Sequence, residues 1–246
     1  MNPENKASQL LKFGMEDVVL RTFDAEISRV EAAVFPKFLK DRIPTLKTLC
    51  IGRNFRFGKN RRGDDSYLAN QSRLSEIEVI VAESKVFGGS PISSSRIRET
   101  LAMGDIETTN EMLGRNYSVR GVVRSGKAIG RTLGFPTLNL PWNPQAKPAF
   151  GVYAGVVENL DNGLQRKAVA NYGLRPTLEK NVFEPLLEIN VLQELDSSDW
   201  KAGSKLSMKL KCFLRKEKKF NSIEELKKQI TLDKREALEL SKAFTT

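Results

Sequence analysis

The chain has 246 residues, 40% hydrophobic and 28% charged, with 40 Lys+Arg against 30 Asp+Glu and no histidine. That length suffices for one large or two modest domains with a proper core, and no apolar run approaches the ~18 residues of a membrane span. The lack of histidine excludes Ser–His and Cys–His dyads and any His-containing metal site, which leaves carboxylates, lysine and tyrosine as proton acceptors.

In chain order, Glu4–Phe13 reads as a helix with Gly14 at its stop. Val18–Thr22 reads as a strand, Val34–Leu39 as a helical piece interrupted by Pro36, and Leu46–Ile51 and Ile77–Ala82 as further strands. A helix follows from about Arg96 to Met103. Alternation of strand and helix predicts an open parallel sheet. Near Gly114-Arg115-Asn116 the character changes. Tyr117–Val123, Val152–Val157, Lys167–Ala170, Leu186–Leu192 and Leu206–Phe213 are short strands between Gly, Pro and Asn turns, the spacing of a sandwich or barrel. Ser222-Ile223-Glu224-Glu225 is a capping box opening a helix, and the acidic pair Asp233 and Glu236 predicts the start of another carrying Leu240 and Phe244. The division expected is residues 1–114, α/β, and residues 115–246, β-rich.

Charge follows the same division. Residues 1–113 hold 17 Lys+Arg against 16 Asp+Glu, and residues 114–246 hold 23 against 14. The excess gathers at Lys205, Lys209, Lys211, Arg215, Lys216, Lys218 and Lys219. A polyanion could bind there, yet no aromatic residues alternate with the lysines as a stacking platform requires. A solvated strand edge is the better reading, and nucleic acid is not an expected partner. Glu4 and Lys6 with no apolar core behind them argue against a secretory signal. Cys50 and Cys212 form no metal or redox spacing, so a reducing, cytoplasmic setting is expected.

The densest chemistry lies in residues 126–139, Gly-Lys-Ala-Ile-Gly-Arg-Thr-Leu-Gly-Phe-Pro-Thr-Leu-Asn. Gly126 and Gly130 let backbone N–H groups approach an anion, and Lys127 and Arg131 add charge-assisted bonds to phosphate. Thr137 and Asn139, two apart, share one side of an extended segment and offer neutral oxygen ligands of the kind Mg²⁺ accepts. This reads as a nucleotide triphosphate and magnesium site. Two turns around a strand are the plain alternative.

The same stretch resembles the signature of riboflavin kinases, Gly-x-x-x-Gly-Arg-x-Leu-Gly-Phe-Pro-Thr-Ala-Asn, with Leu138 in place of alanine. Ala170–Thr177 resembles that family's second loop, Leu187–Leu192 its Val-Glu-x-His-Leu-Leu strand with Asn190 for histidine, and Leu214–Phe220 its Arg-x-Glu-x-Lys-Phe segment. The resemblance spans residues 115–246. It implies a small antiparallel β-barrel with C-terminal helices that binds riboflavin, ATP and Mg²⁺ and releases FMN. Gly126, Lys127, Gly130, Arg131, Thr137 and Asn139 would bind ATP, with Thr137 and Asn139 on the metal. Glu188 would be the catalytic base, its strand position opposite Leu187 and Ile189 favouring that role over a surface charge. Arg215 and Phe220 would contact the flavin.

In the first half, Ile51–Lys59 with Gly63-Asp64 resembles the Gly-x-Asp-Phe-x-Phe-Gly segment of the adenylyltransferase module of bacterial bifunctional FAD synthetases, Asn54 replacing aspartate. Ile92–Arg98 resembles that module's Ile-Ser-Ser-Thr-x-Ile-Arg. Ser93, Ser94, Ser95, Arg96 and Arg98 would form its nucleotide site, although a serine-capped helix explains the same residues. The module also rests the nucleotide's phosphates on a His-x-Gly-His that a histidine-free chain lacks. Gly14 is the only glycine before Gly52, so the Rossmann-like sheet is expected to lack its first strand and phosphate turn and the nucleotide site to be vestigial. The activity expected is riboflavin kinase. The alternatives are a bifunctional enzyme making FMN and FAD, or a non-catalytic flavin- or nucleic-acid-binding protein.

Overall fold

In the computed structural model, which describes residues 3–72, 76–126, 129–176, 183–193 and 200–244, the chain divides into two units, Met1–Ile92 and Ser93–Thr246. The first is a mixed α/β region. Helices α1 (Pro3–Lys12), α2 (Ala25–Ser28), α3 (Phe35–Arg42) and α4 (Asp65–Ser72) accompany strands β1 (Thr48–Gly52) and β2 (Glu78–Ala82), which pair in parallel from Thr48↔Glu78 to Gly52↔Ala82. A short antiparallel pair, β3 (Val86–Phe87) and β4 (Ser90–Pro91), closes the unit. Its core is small: Ala32, Ile51, Phe57 and Leu68, with the rings of Phe35, Phe55 and Tyr67 against them.

Two local expectations are corrected there. Val18–Thr22 has no regular structure; a strand needs a partner, and Val19 is 86% exposed beside none. Pro36 sits in the first turn of α3 instead of interrupting it, because its missing N–H falls where no helical bond is lost. Helix α4 was not expected; the Asp64 carboxylate caps it by accepting from the Tyr67 N–H at 2.8 Å, and it buries Leu68 completely.

The second unit opens with α5 (Ser94–Met103) and α6 (Ile106–Leu113), each ended by a glycine in the left-handed region, Gly104 and Gly114. Strand β5 (Tyr117–Val122), the single turn α7 (Ile129–Thr132), β6 (Leu138–Pro141), β7 (Gly151–Asn159), β8 (Gln165–Pro176), β9 (Phe183–Val191), β10 (Lys205–Lys216) and α8 (Ile223–Leu240) follow. The strands form one antiparallel six-stranded sheet in the order β5-β10-β7-β8-β9-β6. It curls until its ends meet, where the Arg124 N–H donates to the Asn139 carbonyl at 2.9 Å. Inside lie Tyr153, Tyr172, Leu187, Ile189, Leu206, Met208 and Leu210, joined by Leu101 of α5 and Ile106 of α6. The Tyr153 hydroxyl donates to the Ala149 carbonyl at 2.6 Å. The Tyr172 hydroxyl has no hydrogen-bond partner among the described residues, and burial pushes its pKa up to about 12.

Helix α8 packs on the outside of this half-barrel, where Ala237 meets Val152, Ala154 and Val169. Its N-terminus is capped as expected: Ser222 Oγ accepts from the Glu225 N–H at 3.1 Å, and the Glu225 carboxylate accepts from the Asn221 N–H at 2.9 Å. No second helix begins at Asp233. That residue lies inside α8, and its carboxylate binds a side chain instead of a helix end. The basic cluster is only partly at a sheet edge: over Lys205–Leu210 strand β10 is paired with both β5 and β7, and Lys209 meets Glu158 at 3.3 Å, whereas Lys211, Arg215 and Lys216 lie beyond the β5 pairing. Among the described residues no helix is long and apolar enough to cross a membrane.

Candidate active site

Sheet register assembles the site. Asn139 on β6 lies opposite Glu188 on β9, which lies opposite Asn171 on β8, then Val152 on β7 and Arg215 on β10. Directly opposed residues share a face, so residues scattered over the sequence form one row. That face is the outer one. Along β9, Leu187 and Ile189 are fully buried in the barrel, while Glu188 and Asn190 point the other way.

Over this row lies a cavity of about 420 Å³. Val152, Val169, Asn171, Glu188, Asn190 and Arg215 belong to the sheet side of its wall. Gly130, Leu133, Phe135 and Thr137 contribute from the connection into β6, and Glu217, Lys218, Phe220, Leu226, Ile230, Asp233 and Lys234 from the end of β10, the loop after it and α8. Gly130 has a local reason: a Cβ there would collide with the Phe135 carbonyl and crowd the Thr137 hydroxyl.

Five charged side chains of the cavity are paired with one another: Arg175, Glu188, Glu217, Arg215 and Asp233. Arg175 donates through Nε and Nη2 to Glu188 Oε2 at 3.1 and 2.9 Å, and through Nη1 to Glu217 Oε1 at 3.1 Å. Burial works against the Arg175 charge, but the two carboxylates outweigh it and its pKa is raised. Arg215 makes a bidentate pair with Asp233, Nε to Oδ1 at 2.8 Å and Nη2 to Oδ2 at 2.7 Å, with its guanidinium carbon 5.9 Å from the Phe220 ring centre. Asn190 donates to the Pro136 carbonyl at 2.7 Å, tying β9 to the segment that presents Thr137. Its Oδ1 is buried and has no donor among the described residues.

Of the residues singled out from sequence, Gly130, Thr137, Glu188, Arg215 and Phe220 line the cavity. Asn139 stands beside Glu188 in the row, and its carboxamide fills the space over Gly126. Lys127 and the side chain of Arg131 lie outside the described residues. Ser93 caps α5, its Oγ accepting from the Arg96 N–H at 3.2 Å, while Ser94, Ser95, Arg96 and Arg98 occupy the start of that helix in the second unit. Sequence reasoning missed Arg175, Asn171, Glu217 and Asp233 as members of the site. The first three lie inside the quoted family segments, but their meeting is a matter of register; Asp233 resembled a helix cap.

Comparison with known proteins gives the family. Residues 113–241 match the family model described as riboflavin kinase, and residues 1–96 match that described as FAD synthetase. The bifunctional riboflavin kinase/FMN adenylyltransferase of Escherichia coli (strain K12) is 33% identical over 95% of this chain and 73% of that protein. The enzyme of the same description from Haemophilus influenzae is 34% identical over 99% of this chain and 76% of that one. A crystal structure of a Streptococcus pneumoniae protein named macrolide-efflux protein superposes with a TM-score of 0.82 at 26% identity, covering 100% of this chain and 76% of that one. The chain belongs to the riboflavin kinase family.

Proposed function

We propose that this chain is an ATP-dependent riboflavin kinase. The observation that carries the reading is the row of Asn139, Glu188 and Asn171 along a cavity whose wall is apolar through Val152, Val169, Phe135, Phe220, Leu226 and Ile230. Such a wall suits a flat tricyclic ring, and the few convergent polar groups would orient its chain. The buried Asn190 Oδ1, which has no donor among the described residues, would offer an acceptor to a ligand hydroxyl or N–H.

Mg²⁺ and ATP fit the donor set. Thr137 and Asn139 would supply neutral oxygens, and Gly126 and Gly130 would let backbone N–H groups approach phosphate. Bound Mg²⁺ would neutralise phosphate charge, the main electrostatic demand of phosphoryl transfer. Riboflavin's 5′-oxygen forms a bond to the γ-phosphorus as the bond to the bridging oxygen of ADP breaks, and the hydroxyl proton passes to Glu188. FMN and ADP leave.

Incubation with riboflavin, ATP and Mg²⁺ followed by chromatography of the flavins tests the reading. FMN as the sole product is expected. FMN with FAD would favour the bifunctional alternative, and unchanged riboflavin would favour a binding protein.

A further inference from the structure

We infer that Arg175 is a positioning residue for phosphoryl transfer, setting which oxygen of Glu188 accepts the proton and coupling that carboxylate to the segment after β10. The inference rests on the kinase reading above and deepens it.

Three observations carry it. Both Arg175 donors that reach Glu188 go to the same oxygen, Oε2, and the described residues give Oε1 no hydrogen bond. A bidentate pair would have used both oxygens; this geometry occupies one lone-pair set and leaves the other open. The remaining fork nitrogen, Nη1, holds Glu217 at 3.1 Å, one residue past the end of β10 and adjacent to Lys218 in the cavity wall. The third is local to β8: a Cβ on Gly173 would overlap the Glu217 carboxylate, so the glycine makes room for the far arm of the clamp. Arg175 itself is two-thirds buried, with 32% of its side chain exposed, so the pairs are partly shielded from solvent.

A planar, always charged fork suits this work. It fixes the carboxylate's rotation through two donors and cannot lose its proton to the reaction. When the riboflavin hydroxyl gives up its proton, Oε1 is the atom left to take it, and the pair at Oε2 holds the carboxylate against rotation away from the substrate. Loss of that alignment slows the chemical step and leaves substrate binding nearly intact.

The test is a double-mutant cycle on the full chain, with Arg175→Gln, Glu188→Gln and both together, measuring kcat and both KM values for FMN formation. Arg175→Gln is expected to lower kcat by roughly 10–100-fold with KM changes under about threefold. In the Glu188→Gln background the same substitution is expected to cost less than about twofold, because it acts through the group already removed. Arg175→Lys, which keeps the charge without the fork, is expected to fall between parent and Arg175→Gln, and it serves if the glutamine variant does not fold. Equal fold losses in both backgrounds, or an unchanged kcat, would overturn the positioning role alone. A parent-like rate for Glu188→Gln would remove the base assignment and this inference with it. No FMN from the parent chain would instead overturn the kinase reading.

Discussion

Thr137 and Asn139 illustrate how two residues of one motif come to differ. Thr137 lies in the cavity wall next to Gly130, held there by the Asn190–Pro136 hydrogen bond. Asn139 is a β6 residue opposed to Glu188, with its carboxamide over Gly126. Each would give the cation one neutral oxygen, and a hard cation that keeps several waters depends on such ligands only in part. Thr137→Val and Asn139→Leu are therefore each expected to raise the Mg²⁺ concentration for half-maximal turnover without abolishing it. Titration of Mg²⁺ at fixed ATP measures this, and an unshifted requirement in both variants would refute the ligand role. Leu138 between them is 8% exposed and belongs to the barrel core, so the side chain that departs from the resembled signature faces the core and not the cavity.

Among the elements, α8 has the largest consequence for the site. Its contact with the sheet is apolar at Ala237 but ionic at Asp233, which is 3% exposed and accepts two bonds from Arg215 and one from Gln229. Arg215 is therefore committed to holding the helix, and any contribution to a flavin contact would run through the Phe220 ring nearby. Removing one partner of a buried pair leaves an uncompensated charge, a larger loss than the pair's own net value. Asp233→Ala is expected to cost about 3 kcal/mol, read as a lower urea midpoint, and to raise the KM for riboflavin as the Phe220 wall loosens. Replacing both partners, Arg215→Met with Asp233→Leu, is expected to recover much of the stability. An unchanged midpoint for Asp233→Ala would show that α8 is held by its apolar face alone.

At the scale of the whole molecule, the core of the half-barrel extends into α5 and α6. Leu101 and Ile106, both 1% exposed, are part of its core, and the Asn110 side chain donates to the Leu210 carbonyl and accepts from the Tyr117 N–H. A fragment of residues 93–246 is expected to fold and retain kinase activity. One of residues 115–246 exposes the core under α5 and α6 and is expected to be less stable or to aggregate. Measuring the urea midpoint and FMN formation of both fragments decides this, and equal stability would refute it. The same chain is expected to make no FAD from FMN and ATP. In the resembled module two histidines neutralise the phosphates; the chain has none, and each missing electrostatic group costs on the order of 10²–10³ in rate. Enzyme-dependent release of pyrophosphate with stoichiometric FAD would contradict that expectation.

Periodicity and turn chemistry determined much of this protein directly from sequence: the β-rich second half, the capping box at Ser222, and the orientation of Glu188 between two core residues. These are local properties, set by neighbours within a few positions. Tertiary structure alone decided what is non-local. Arg175 and Glu217 are 42 residues apart, and their meeting depends on strand register and on Gly173 making room. Asp233 reads as a cap by spacing but became a buried counterion, because the helix continued and Arg215 lay beneath it. Strand propensity at Val18–Thr22 lacked a sheet neighbour and came to nothing, since a strand is stabilised by its partners and not by its own residues.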